Sequence, residues 1–137
     1  MHPIHMLKTY NATKETLKIC DSLFDKQHYS NNKTNAFRHA YWNFKIAESV
    51  LSTKTKTNEA LIWAKKITDL HEEIFANQPL PKAMDLHNNE VGRWFFQQQL
   101  PSKTVIQQMQ TMMNNAKVIK HPNETSSYKN TLVYLDD

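Results

Sequence analysis

NAFRHAYWNFKIAESVL, residues 35–51, sets Phe37, Ala40, Tyr41, Phe44, Ala47 and Leu51 three and four residues apart. That is the period of one helix face, and Asn35 stands where an N-cap residue belongs. The polar run Ser52-Thr53-Lys54-Thr55-Lys56-Thr57 ends it as a loop. Upstream, Thr13 to Gln27 repeats the pattern with Leu17, Cys20 and Phe24, widened by Ile19 and Leu23, and stops at Tyr29-Ser30-Asn31-Asn32. Downstream, Asn58 to Asn77 carries Leu61, Ala64, Ile67, His71, Ile74 and Phe75 as its expected buried stripe, closed by Pro79 and Pro81. A fourth helix is expected from Asp85 to Gln99, burying Val91, Trp94 and Phe95. Beyond Pro101 a fifth, capped by Ser102, carries Val105, Ile106, Met109, Met112, Met113 and Ala116, its methionines serving as adaptable core filler. Leu132-Val133-Tyr134-Leu135 has strand character and is expected to be an extended tail paired with residues between Ile4 and Tyr10.

The fold expected is therefore mainly all-α, a single compact bundle of about five helices with a short extended C-terminal tail. One glycine, Gly92, in the whole chain speaks against tight hairpins and against a glycine-rich phosphate loop. A chain of 137 residues fits one domain, 1–137, with its motif-bearing core at about 35–99. Folding at this size needs no disulfides, and the single cysteine, Cys20, has no internal partner.

Charge narrows the function classes. The net charge of +4 rests on fifteen lysines and two arginines, Arg38 and Arg93. Arginine supplies the planar fork that reads phosphates and base edges, whereas scattered lysines give a solvated basic surface. Specific nucleic-acid recognition is disfavoured on that ground. No apolar run approaches the roughly 18 residues of a membrane span. The opening Met1-His2-Pro3-Ile4-His5 lacks a secretory signal pattern, so export would need a specialised secretion system.

Three blocks gather residues that a plain bundle would not choose. In the first, Asn35, His39 and Asn43 lie four residues apart on one polar strip, with Arg38 beside it. In the second, Asp69 and Glu72 project from one side of a helix while His71 points toward the apolar stripe. Their repulsion must be relieved by a proton, a cation or solvent. In the third, Asp85 reads as an N-cap, and Asp85, Asn89 and Arg93 stand one turn apart, with His87 and Asn88 between them. Gly92 leaves room beside Arg93 for a close neighbour. Singly, each residue has a plain structural use. His39 can be satisfied by a neighbouring carboxylate or carbonyl, Arg38 can stack on Trp42, Asp69 can pair with Lys65, and Asp85 can cap. Capping does not explain the run His87-Asn88-Asn89, because asparagine is a mediocre helix former.

Together the blocks offer imidazoles and carboxylates on three consecutive helices, the way metal sites are built inside bundles. Imidazole with carboxylate suits Zn²⁺, Mn²⁺ or Fe²⁺, and carboxylate with amide oxygen suits Ca²⁺ or Mg²⁺. No His-Glu-x-x-His spacing occurs, Cys20 lies outside the blocks, and a Ser-His-Asp arrangement finds no anchor.

The blocks Asn35-Ala36-Phe37-Arg38-His39-Ala40, Asp69-Leu70-His71-Glu72 and Met84-Asp85-Leu86-His87-Asn88-Asn89-Glu90-Val91-Gly92-Arg93, with the closing Leu132-Val133-Tyr134-Leu135, resemble a family of small, uncharacterised, toxin-associated bacterial domains. The resemblance covers the middle of the chain. It implies a mostly helical domain whose polar blocks meet in one pocket, and a role in contact between bacteria.

The function expected is a metal-dependent hydrolase of a phosphoester or phosphoanhydride, a lipid-linked one included, acting as a toxin or effector domain. Its divalent ion would be held by His39, Asp69, Glu72, Asp85 and His87. Acid-base work would fall to His39, His71, Glu72, Asp85 or His87, and Arg38, Asn88, Asn89 and Arg93 would hold the anionic substrate. An immunity protein would be its protein partner. The basic charge makes the chain itself a poor candidate for an immunity protein. The competing class is a noncatalytic interaction module, in which the same blocks form a buried network that fixes helix register.

Overall fold

Helix α2 (Lys33–Val50) forms the middle of the molecule because it can be buried on nearly every side. Ala36, Phe37, Ala40, Tyr41, Phe44, Ile46, Ala47 and Val50 are all in the core, and α1 (Pro3–Phe24), α3 (Thr57–Phe75), α4 (Pro79–Gln97) and α5 (Ser102–Asn114) pack around it. The computed structural model of the chain describes residues 2–136. It is the expected mainly helical bundle with a short extended C-terminal region.

Several boundaries differ from the sequence expectation, each for a physical reason. The cap of α2 is Asn32, whose side chain accepts the amides of Thr34 and Asn35 at 3.0 and 3.1 Å. Asn35 is thereby moved into the first turn and buried, donating to the His28 carbonyl at 2.8 Å. Helix α1 begins at Pro3 instead of Thr13. Its buried strip is Thr9, Ala12, Thr16 and Cys20, which an apolar period does not reveal. The threonines are tolerated there because Thr9 and Thr16 donate their hydroxyls to carbonyls four residues back, at 2.7 and 2.8 Å.

Pro79 and Pro81 open α4 instead of closing α3. The first four amides of a helix have no intrahelical partner, so proline is at home there. Asp85 accordingly lies in the second turn and does not cap. Helix α3 is turned relative to its expected face. Ala60, Trp63, Ala64, Thr68 and Glu72 are buried, whereas His71, Ile74 and Phe75 are exposed. Small residues at 60, 64 and 68 let α3 approach its neighbours closely, and that rotation carries Glu72 inward. Ser102 is the first residue of α5 after Pro101 and donates its hydroxyl to Glu48 at 2.6 Å.

The tail does not pair with residues 4–10, which belong to α1. Strand β2 (Val133–Tyr134) lies parallel to β1 (Lys117–Val118), with Lys117 opposite Val133. Asn88 clamps it, donating to the Val133 carbonyl at 2.9 Å and accepting the Val133 amide at 3.0 Å. His87 donates to the Thr131 carbonyl at 2.7 Å. Asn88→Ala leaves a buried donor and acceptor unpaired, so it is expected to cost about 2–4 kcal/mol. Urea unfolding would show the loss, and amide exchange at Val133 should accelerate with it. An unchanged midpoint would mean the clamp is energetically idle.

Candidate metal centre

His39 from the second turn of α2, Glu72 from the last turn of α3 and Asp85 from the second turn of α4 each present one ligand atom, and these atoms lie within 4.8 Å of one another. Bonds of about 2.0–2.2 Å to a shared ion would need spans of about 4 Å or less, a small closure for flexible carboxylates. His39 is 5% exposed and Glu72 2%.

The hydrogen-bond pattern decides what these groups can do. His39 Nδ1 faces Asn89 Oδ1 at 3.3 Å, so Nδ1 carries the proton and donates. Nε2 then presents its lone pair to Asp85 Oδ1, 3.2 Å away. Burial, with the positive charge of Arg38 as the second cause, pulls the His39 pKa down to about 3. The imidazole is neutral, and its contact with Asp85 is not an ion pair. It is a lone pair against a carboxylate, which requires a proton or a cation between them.

The acids report the same shortage. Burial first, and the Asp85 charge second, raise the Glu72 carboxyl well above the ordinary range, and burial raises Asp85. Among the described residues six buried side-chain nitrogen or oxygen atoms lack a hydrogen-bond partner, and four belong to Asn35, Glu72, Asp85 and Asn89. Unsatisfied groups concentrated in one place mark a binding site more readily than a structural network.

The triad opens into a cleft of about 250 Å³, whose walls include Tyr29, Asn35, Arg38, His71, Phe75 and Gln78. Arg38 is stacked over Tyr29, 5.0 Å from the ring centroid, and not over Trp42. The His71 ring lies between Trp42 and Phe75, at centroid distances of 5.3 and 4.8 Å. Desolvation first, and Arg38 second, lower its pKa.

The structure thus gathers His39, Glu72, Asp85 and Asn89, and sets Arg38 and His71 on the cleft wall. It places four other predicted residues elsewhere. Asp69 pairs with Lys65 and sits beside a separate hollow with Glu90 and Arg93. His87 and Asn88 hold the C-terminal tail. Arg93 donates to Asn43 Oδ1 at 2.7 Å, Thr68 donates to the same oxygen at 3.0 Å, and Asn43 donates to the His39 carbonyl at 3.1 Å. That closed network ties α2, α3 and α4 together beside the triad. Asn35, expected as a helix cap on the His39 strip, lines the cleft instead, and its position one turn before His39 is the signal for that. Tyr29 and Gln78 had none, because only packing brings their segments to the cleft.

Residues 1–117, which include every helix bearing the triad, match a family model described as a domain of unknown function (DUF6973). No curated protein matches the chain.

Proposed function

Since this chain belongs to the DUF6973 family, a domain of unknown function, we propose its activity from the site itself: a hydrolase of phosphoesters or phosphoanhydrides that depends on a divalent ion held by His39, Glu72 and Asp85. The observation that carries this reading is the meeting of a neutral imidazole lone pair with two buried carboxyls in an open cleft. One imidazole with two carboxylates favours Zn²⁺, Mn²⁺ or Fe²⁺ over Ca²⁺. Such an ion would lower the pKa of a bound water and offset phosphoryl charge.

The chain's own residues do the rest. Asn89 fixes the tautomer and orientation of His39, as outer-sphere partners do for metal-binding imidazoles. Arg38 holds the substrate anion, steadied by Tyr29. His71, exposed on the wall, exchanges a proton with the departing oxygen. Hydrolysis adds water across one P–O bond, the hydroxyl to phosphorus and the proton to the leaving oxygen. In a cell this activity would make the domain a bacterial toxin or effector, with an immunity protein as its natural antagonist.

The noncatalytic reading has its own support in the paired contacts of Asn43, Thr68, Arg93 and Asn88. One titration separates the two. Calorimetry of chelator-treated protein with Zn²⁺ and Mn²⁺ is expected to give one site, with affinity reduced at least ~100-fold in His39→Ala and Asp85→Ala at unchanged circular dichroism. Generic phosphoester hydrolysis should disappear in the same variants. A folded wild type that binds neither ion overturns the hydrolase and leaves the interaction module. Expression in a bacterial host should slow growth for the wild type and not for His39→Ala.

A further inference from the structure

Arg38, His39 and His71 form a wall shared by two hollows. One is the polar cleft of the triad. The other, about 200 Å³, is completed by Thr13 and Leu17 of α1 and Trp42 of α2. The polar groups that α1 and Trp42 add to that wall are spent. The Trp42 indole N–H donates to Thr13 Oγ1 at 2.8 Å, and that hydroxyl donates to the Thr9 carbonyl at 2.8 Å. Away from the edge shared with Arg38 and His71, what is left to meet a guest is indole face, leucine and methyl. A nucleobase or sugar placed against that apolar side would lose more hydrogen bonds to water than the shared wall returns, whereas an alkyl chain loses nothing. An apolar cavity of about 150 Å³ admits a benzene ring, so this one has room for the first stretch of a chain.

We propose that the substrate is an amphiphile, a phosphoester or phosphoanhydride of a long-chain alcohol. Its head lies in the cleft against Arg38 and its first methylenes occupy the Leu17–Trp42 hollow. The proposal deepens the hydrolase reading and rests on it. The rim agrees with a substrate presented at an interface. Phe75 on the cleft wall is 70% exposed, and beside it on α3 Leu70 and Ile74 stand one turn apart at 48% and 64% exposure. Apolar strips of this kind on an otherwise lysine-rich surface mark contact with apolar matter.

The test is a binding series on wild-type protein loaded with the ion that the titration identifies, using inorganic, ethyl, butyl and octyl phosphate below micelle-forming concentrations. Affinity is expected to rise by up to about fourfold per methylene over the first carbons. Leu17→Ser should flatten that rise, and Leu17→Trp, which fills the hollow, should abolish it. Both should keep the wild-type affinity for inorganic phosphate. A flat series in the wild type, with inorganic phosphate still bound, overturns the amphiphile and leaves the hydrolase standing. An undiminished rise in both Leu17 variants overturns the assignment to this hollow. Failure of the wild type to bind metal or phosphate removes the hydrolase reading, and this proposal with it.

Discussion

Gly92→Ala is expected to unfold the protein or to reduce its stability by on the order of 3–5 kcal/mol, a large share of a typical folding free energy. Helix propensity alone points the other way, since alanine is favoured over glycine inside a helix by about 1 kcal/mol. The sign reverses because Gly92 is where α4 crosses α2. A Cβ there would lie 2.7 Å from the carbonyl carbon of Ala40 and 2.9 Å from its Cα, and closer still to its carbonyl oxygen. These are backbone atoms of a central helix, so relief requires the two helices to move apart, which loosens the core and spreads His39 from Asp85 together. Ala40→Gly should not rescue the variant, because the clash does not involve the Ala40 side chain. Glu90→Ala, on the exposed face two residues away, should change stability by no more than about 0.5 kcal/mol. Thermal and urea unfolding of the three variants would decide it. A Gly92→Ala protein as stable as the wild type would mean that the α2–α4 approach is looser than described.

Metal-free protein is expected to lose stability as pH rises from about 5 to 8, against the usual behaviour of carboxylates. The sign follows from the protons. In the folded state Glu72 is raised to about 8 and Asp85 to about 6, so across this window the native chain holds more protons than the unfolded one. That stability is fully present below the unfolded carboxyl value and is lost as pH climbs through the folded ones. His39 acts in the opposite direction at lower pH. Its pKa is depressed to about 3, so its contribution is present above 6.5 and is lost as pH falls from there toward 3. Stability should therefore peak in mildly acid solution. Glu72→Gln removes the acid whose pKa is raised the further of the two, and at pH 8 without metal it should be more stable than the wild type by on the order of 2 kcal/mol. The same variant should forfeit metal-induced stabilisation, which for the wild type reaches about 2.7 kcal/mol at one hundred times the dissociation constant. Melting temperatures between pH 4 and 9, with chelator and with Zn²⁺ or Mn²⁺, would show the crossing. A wild type whose metal-free stability holds level or rises from pH 5 to 8 would mean that the two acids are ionised and paired.

Much of this was legible along the chain. The five helices follow from apolar residues spaced three and four apart, and the only glycine marked a close neighbour beside α4, which the structure identifies as the Ala40 backbone of α2. His39, Glu72 and Asp85 stood out as acids and an imidazole of the three polar blocks, on a par with Asp69, His71 and His87. The tail's partner, the turn of α3 and the true start of α4 were not legible. His87 and Asn88 look on paper like Asn89, a neighbour in the same block, yet they serve β2 and it serves His39. Likewise Asp69 looks like Glu72, yet one meets Lys65 in solvent and the other is buried. Periodicity is a local property, written into every 3.6 residues of a helix. Which polar side chain ends up inside depends on the rotation and crossing of helices far apart in sequence, and here those are set, besides Gly92, by small residues at 40, 60, 64 and 68 that no local pattern distinguishes from ordinary ones.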